Sequence, residues 1–177
     1  QIKALAKLLG RQDMLDEANS LTERLNPSEF EEMGKMLAEK LSGKIPVIYA
    51  SEANRALAYI WKAKFHETAK IPAFYNVFPE VNHNEMIGFD AQSQVFHFLL
   101  LADQQDHLRI KRRMEVFAKL FGERGFPVET IELAGEGRLF RPFSSIILAD
   151  WTAYYIARQK GVDPQEIPLV EEFKKMI

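Results

Sequence analysis

Residues 95–101, Val95-Phe96-His97-Phe98-Leu99-Leu100-Leu101, are apolar at almost every position, and the run is too short for a core-crossing helix. A run of that length without polar alternation fits a strand covered on both faces, which demands helices above and below a sheet. Three further strand-length runs follow: 45–50, which is rich in β-branched residues, 73–78, and 126–133, which alternates apolar and polar residues. Turn formers bound them, with Gly43 before the first, Pro72 and Pro79 around the second, and Gly125 and Gly135 around the last. Between them the spacing changes to that of a helix. Leu57, Ile60, Trp61 and Phe65 mark one over 54–69, and Leu108, Met114, Phe117 and Leu120 another over 103–121; 139–159 is a long apolar third. Strands alternating with helices predict an α/β fold, a three-layer sandwich of parallel sheet flanked by helices. Ligands of such sheets bind at the carboxyl ends of the strands, so Ser51 and the segment 79–85, which both follow strands, are expected on that edge.

Residues 1–25 read as a helical lead-in broken at Gly10, outside a domain spanning 26–177. Asn26-Pro27 is a helix start, with Asn as cap and Pro in the first turn, and Phe30, Met33, Leu37 and Leu41 form the apolar stripe that Ser42-Gly43 ends. A last amphipathic helix begins near Pro168 and carries Val170, Phe173 and Ile177. With 177 residues, 47% of them hydrophobic, the chain can bury one substantial core. Its net charge of −2, with both signs interspersed, gives no footprint for nucleic acid or anionic lipid. The basic stretch from Arg109 to Arg113 lies in an amphipathic pattern and reads as a solvated helix face. Without cysteine there is no disulfide or thiolate chemistry, and a cytoplasmic setting is expected. No run approaches the roughly 18 apolar residues of a membrane helix. The chain begins at Gln1, inside a helical pattern, as a piece of something longer would.

The chemistry-bearing side chains cluster around the second strand. Glu67 sits beside Lys70 near a helix end, and His83 lies in the polar knot Pro79-Glu80-Val81-Asn82-His83-Asn84-Glu85. A carboxylate that can take a proton, an imidazole that can give one and a strand setting their separation are parts of a general acid/base site. Read alone, Glu67 is equally a solvated carboxylate paired with Lys64 or Lys70, and His83 a histidine capped in a turn. His66 and Glu67 point about 100° apart on a helix, so they do not converge on a metal ion. Structural readings suffice for His97 in a strand, His107 at a helix start, Ser144 and Ser145 in a helix, and an Asp150–Tyr154 contact. Gly135 and Gly137 lack the following Lys-Ser/Thr of a phosphate loop.

Residues 43–49 and 58–62, the segment Phe65-His66-Glu67-Thr68-Ala69-Lys70-Ile71-Pro72-Ala73 and the 79–85 knot resemble the second half of bifunctional phosphoglucose/phosphomannose isomerases, members of the sugar isomerase (SIS) superfamily. Residues 150–157 and 161–164 and the terminal Phe173-Lys174 extend the resemblance to the end of the chain. It implies an SIS-type fold and a 1,2 aldose–ketose isomerisation of hexose 6-phosphates, glucose 6-phosphate with fructose 6-phosphate, through a cis-enediol and without a cofactor. Glu67 would move the proton between C2 and C1. His83 would open the sugar ring in the active site of the neighbouring subunit of a homodimer, with Lys174 assisting, and Ser51 is a candidate ligand contact. An N-terminal SIS domain carrying the Ser/Thr-rich phosphate loop would complete the enzyme, and 1–25 would be the helical linker from it. Three features depart from the family. Nothing before Ile45 resembles the phosphate loop or supplies the family's enediol arginine, His66 stands where Asn is usual, and Gln165 or Ile167 falls where mannose-accepting members have threonine. The alternative is a non-catalytic sugar-phosphate-binding regulatory module, which would have no use for Glu67, His83 and Lys174 together.

Overall fold

The computed structural model describes residues 1–89 and 95–177. Four strands, β1 (Ile45–Ser51), β2 (Phe74–Phe78), β3 (Phe96–Asp103) and β4 (Val128–Leu133), form one parallel sheet in the order β2-β1-β3-β4. Successive residues of a strand point to opposite faces, and here both faces are covered. Ile48, Ala50, Leu99 and Leu101 meet Trp61, Phe65, Leu148 and Ile156 in one core. Val47, Tyr49, Phe98 and Leu100 meet Met114, Phe117 and Phe121 in the other. The first core lies under α3 (Glu31–Lys40), α4 (Arg55–Glu67) and α6 (Phe140–Lys160); the second lies under α5 (Leu108–Glu123). The three-layer sandwich expected from the apolar runs is the observed architecture.

The lead-in is two helices, α1 (Ile2–Leu8) and α2 (Gln12–Arg24), broken at Gly10 as its left-handed φ of 61° requires. It packs on the sheet domain through a helix cap. The Glu17 carboxylate of α2 accepts from the Leu139 and Phe140 amides (2.7 and 3.4 Å), neutralising unsatisfied donors at the start of α6. Gly137 makes room for it, because a Cβ there would lie 2.1 Å from Glu17 Oε1. Gly34 plays a similar part between α3 and α6, where a Cβ would lie 2.4 Å from Trp151 Cβ. That close approach turns Leu37, Ala38 and Leu41 inward and leaves Met33, expected in the buried stripe, half exposed.

Other boundaries move for physical reasons. Asp103, expected to open a helix, instead ends β3 opposite Leu133, and α5 starts later, where His107 Nδ1 accepts from the Arg109 amide at 3.1 Å. α4 stops at Glu67, before Pro72, because Lys70 turns the chain with a left-handed φ of 53° and Ile71 N–H reaches back to Phe65 O at 3.1 Å. A final helix, α7 (Pro168–Met176), buries none of its side chains. Among the described residues no helix is long and apolar enough to cross a membrane.

His97 is buried in β3, as expected, and neither ring nitrogen has a hydrogen-bond partner among the described residues. Burial holds its pKa below the ordinary value, partly opposed by the Glu129 carboxylate. The folded state therefore favours the neutral ring. Its contribution to stability is complete above the unfolded pKa of about 6.5 and is lost as pH falls below it. Urea unfolding is expected to show stability falling as the pH drops below about 6.5. His97→Leu should flatten that stretch of the curve, and an unchanged slope in the variant would show that His97 does not set it.

Candidate active site

α4 begins at the carboxyl end of β1 and runs back along the sheet, so its last residue, Glu67, reaches the amino-terminal edge beside the start of β2. His83 follows β2 at the opposite edge. Five residues of strand, roughly 17 Å at about 3.3 Å each, separate these edges. The strand thus holds the two groups apart, and one chain by itself does not gather them into one pocket.

At the Glu67 edge, the lysines that the sequence offers as ion-pair partners are engaged elsewhere. Lys64 pairs with Asp150 of α6 at 2.7 Å, which also replaces the expected Asp150–Tyr154 contact. Lys70 Nζ donates to the Glu67 carbonyl and, at 3.4 Å, to Pro164 O, while Lys160 Nζ donates to Lys70 O at 2.6 Å. The exposed Glu67 carboxylate has no ion pair or hydrogen bond among the described residues. Through Pro164 the segment leading into α7 is held at this same edge. Lys174, exposed on α7, pairs with Glu171 at 2.8 Å.

His83 is presented by a single turn of π-helix, Val81–Glu85. Such turns concentrate at functional sites. Three contacts brace this one. Asn76 Nδ2 donates to Glu85, Asn84 Nδ2 to Glu80 Oε1 at 2.5 Å, and Arg113 Nη1 of α5 to Asn82 Oδ1 at 3.1 Å. The exposed imidazole opens on a polar cavity of about 350 Å³ lined by Pro79, Glu80, Asn82, His83 and Arg113. Beneath it, burial and the nearby Glu85 carboxylate raise the pKa of the Tyr49 phenol, so this hydroxyl stays neutral.

Ser51 lies beside Phe78 at the His83 edge, buried, and its Oγ accepts from Asn54 Nδ2 at 3.2 Å. Asn54 also reaches Asp103 Oδ2 at 3.4 Å, and Arg141 Nε lies 3.3 Å from Asp103 Oδ1 as an ion pair outside hydrogen-bond geometry. This buried polar group joins the ends of β1 and β3 to the first turn of α6. Sequence reasoning found Ser51 but not Asp103 or Arg141. The available signal was that a polar residue ends each of these apolar strands. An apolar groove of about 630 Å³ between α3, β4 and α6 is lined by none of the candidate residues. Among the described residues no three His, Asp or Glu side chains are grouped as metal ligands.

Residues 30–177 match the family described as the bacterial phospho-glucose isomerase C-terminal SIS domain. The chain belongs to that family. Its SIS relatives include the bifunctional phosphoglucose/phosphomannose isomerase of Aquifex aeolicus, 32% identical over 98% of this chain and 55% of the relative. The enzyme of the same name from Thermoplasma volcanium is 34% identical over 92% of this chain and 53% of the relative. This SIS domain chain thus spans about half the length of these relatives. Among solved structures, a glucose-6-phosphate isomerase like protein from Thermus thermophilus superposes with a TM-score of 0.66 at 21% identity, over 94% of this chain and 59% of that one. At that identity the likeness carries the SIS fold alone.

Proposed function

We propose that this chain is the C-terminal half of an aldose–ketose isomerase that interconverts glucose 6-phosphate and fructose 6-phosphate, working as a homodimer with a phosphate-holding N-terminal SIS domain supplied by the rest of the protein. Glu67 takes the proton from C2, and the C–H electrons form the C1–C2 double bond of a cis-enediol as the C1 carbonyl oxygen gains a proton. The protonated Glu67, part of whose proton exchanges with solvent during the life of the enediol, then delivers a proton to C1 as the C2 hydroxyl gives up its own and becomes the ketone. His83 of the neighbouring copy opens the ring, giving a proton to the ring oxygen and taking one from the C1 hydroxyl. Lys174 assists that opening. The observation that carries the reading is the placement of Glu67 and His83 at opposite edges of one sheet, each exposed and without a side-chain partner among the described residues. A second copy of the chain, related by a twofold axis, is the arrangement in which the two meet in this reading.

Complementation in the full-length enzyme tests this. Glu67→Gln and His83→Ala homodimers are each expected to be inactive. After subunit exchange, activity should return to about a quarter of the unmodified rate, since half of the dimers are mixed and each mixed dimer keeps one intact site. No recovery, with mixed dimers verified by mass, rules out a site shared between subunits. Sugar-phosphate binding without exchange of the C2 proton with solvent would favour the regulatory module instead.

A further inference from the structure

We infer that His66 is a positioning residue for Glu67, fixing the end of α4 through the backbone of the next strand. The inference rests on Glu67 being the base. His66 Nε2 lies 3.0 Å from both the amide nitrogen and the carbonyl oxygen of Ala73, the residue that leads into β2. In the tautomer with its proton on Nδ1, the ring accepts the Ala73 N–H. That satisfies a donor at a position 1% exposed, outside the ladder of β2. The imidazole thereby closes the reversal between helix and strand, spanning seven residues of chain.

Glu67 is the next residue. The residue before it is held by its own ring on the Ala73 backbone and the Glu67 carbonyl by Lys70 Nζ, while Lys64–Asp150 and Lys160–Lys70 tie the same turn to α6. These polar side chains around Glu67 are spent on backbone or on α6, and the carboxylate is left free. A base on a helix end would otherwise fray with that end, and a displacement of about 1 Å can cost on the order of 10²-fold in rate. A rigid anchor on the preceding residue prevents it.

The test compares His66→Phe, which keeps the ring and removes the acceptor, with His66→Gln, whose amide can accept at the same reach. Both are made in the full-length enzyme. His66→Phe is expected to lower kcat about tenfold or more with KM within about twofold, because the base is misplaced while phosphate binding is untouched. His66→Gln should recover kcat to within about threefold of the unmodified enzyme. Amide exchange at Ala73 should be fast in the Phe variant and slow in the Gln variant. An unchanged kcat in His66→Phe, or an equal loss in both variants, overturns the inference. If His66→Phe fails to fold, the kcat and Ala73 exchange of His66→Gln decide it alone. Glu67→Gln separates the two failures: if that variant stays active, the reading of Glu67 as base falls, whereas if it is inactive and His66→Phe is not, only the role of His66 falls.

Discussion

Glu67→Gln in the full-length enzyme is expected to slow isomerisation by about 10²–10⁴, the range lost when a positioned general base is removed. The amide matches the carboxylate in size and can still hydrogen-bond, but it takes no proton from carbon at neutral pH. No partner of the Glu67 side chain is broken, since Lys64 pairs with Asp150 and Lys70 with backbone carbonyls. Folding and sugar-phosphate affinity should therefore stay near those of the unmodified protein. Loss of label from C2 into solvent measures the chemical step, and calorimetry measures binding. A variant that keeps more than about a tenth of the rate rules Glu67 out as the base. One that loses rate and affinity together assigns Glu67 to holding the ground state instead.

Phe98→Ala should cost about 3–5 kcal/mol of stability, a large share of the roughly 5–15 kcal/mol that holds a domain folded. Phe98 is 0% exposed at the centre of β3. Its ring centroid lies 4.9 Å from that of Phe89, 5.0 Å from Phe121, 5.5 Å from Phe117, 5.7 Å from Phe126 and 5.8 Å from Tyr49, mostly edge to face. Truncation removes the hub of these contacts and leaves a cavity that rings fixed by α5 and the strands cannot refill. The midpoint of urea unfolding reads the loss directly. A change below about 1 kcal/mol would mean that the site collapses around the missing ring, so that this aromatic cluster is not what holds α5 to the sheet. Because α4 lies on the other face, whatever fraction of the variant remains folded should keep the Glu67 edge intact.

The parallel sheet was legible because both its faces are covered. Continuous apolar runs such as 95–101 admit few other folds, and Gly43, Pro72 and Pro79 punctuate them where the chain does turn. The errors fell where a side chain has a choice of partner. Asp150 could bond along its own helix to Tyr154 or across to Lys64, and the helix pattern does not register that α4 and α6 lie side by side. Met33 carries the period of a buried stripe, yet Gly34 rotates α3 onto Trp151 and leaves Met33 in an open groove. Asp103 looked like a helix start until β4 supplied a partner strand for it.

The candidate site divides along the same line. The resemblance of the motifs around Glu67, His83 and Lys174 to those of a known family singled them out and implied their chemical roles; spacing and residue type alone left each open to a plain surface reading. They were enough to lay a strand between the first two. The carboxyl edge expected for Ser51 and the 79–85 knot is where they lie, whereas the place of Glu67 at the opposite edge, its release from its neighbouring lysines, the bracing of the π-turn by Asn76 and Arg113, and the buried contact of Ser51 with Asn54, itself bonded to Asp103, were decided only in three dimensions. Backbone periodicity is written in nearest-neighbour preferences, whereas the Lys64–Asp150, Asn82–Arg113 and Asn54–Asp103 contacts join residues dozens of positions apart whose approach depends on how whole layers pack.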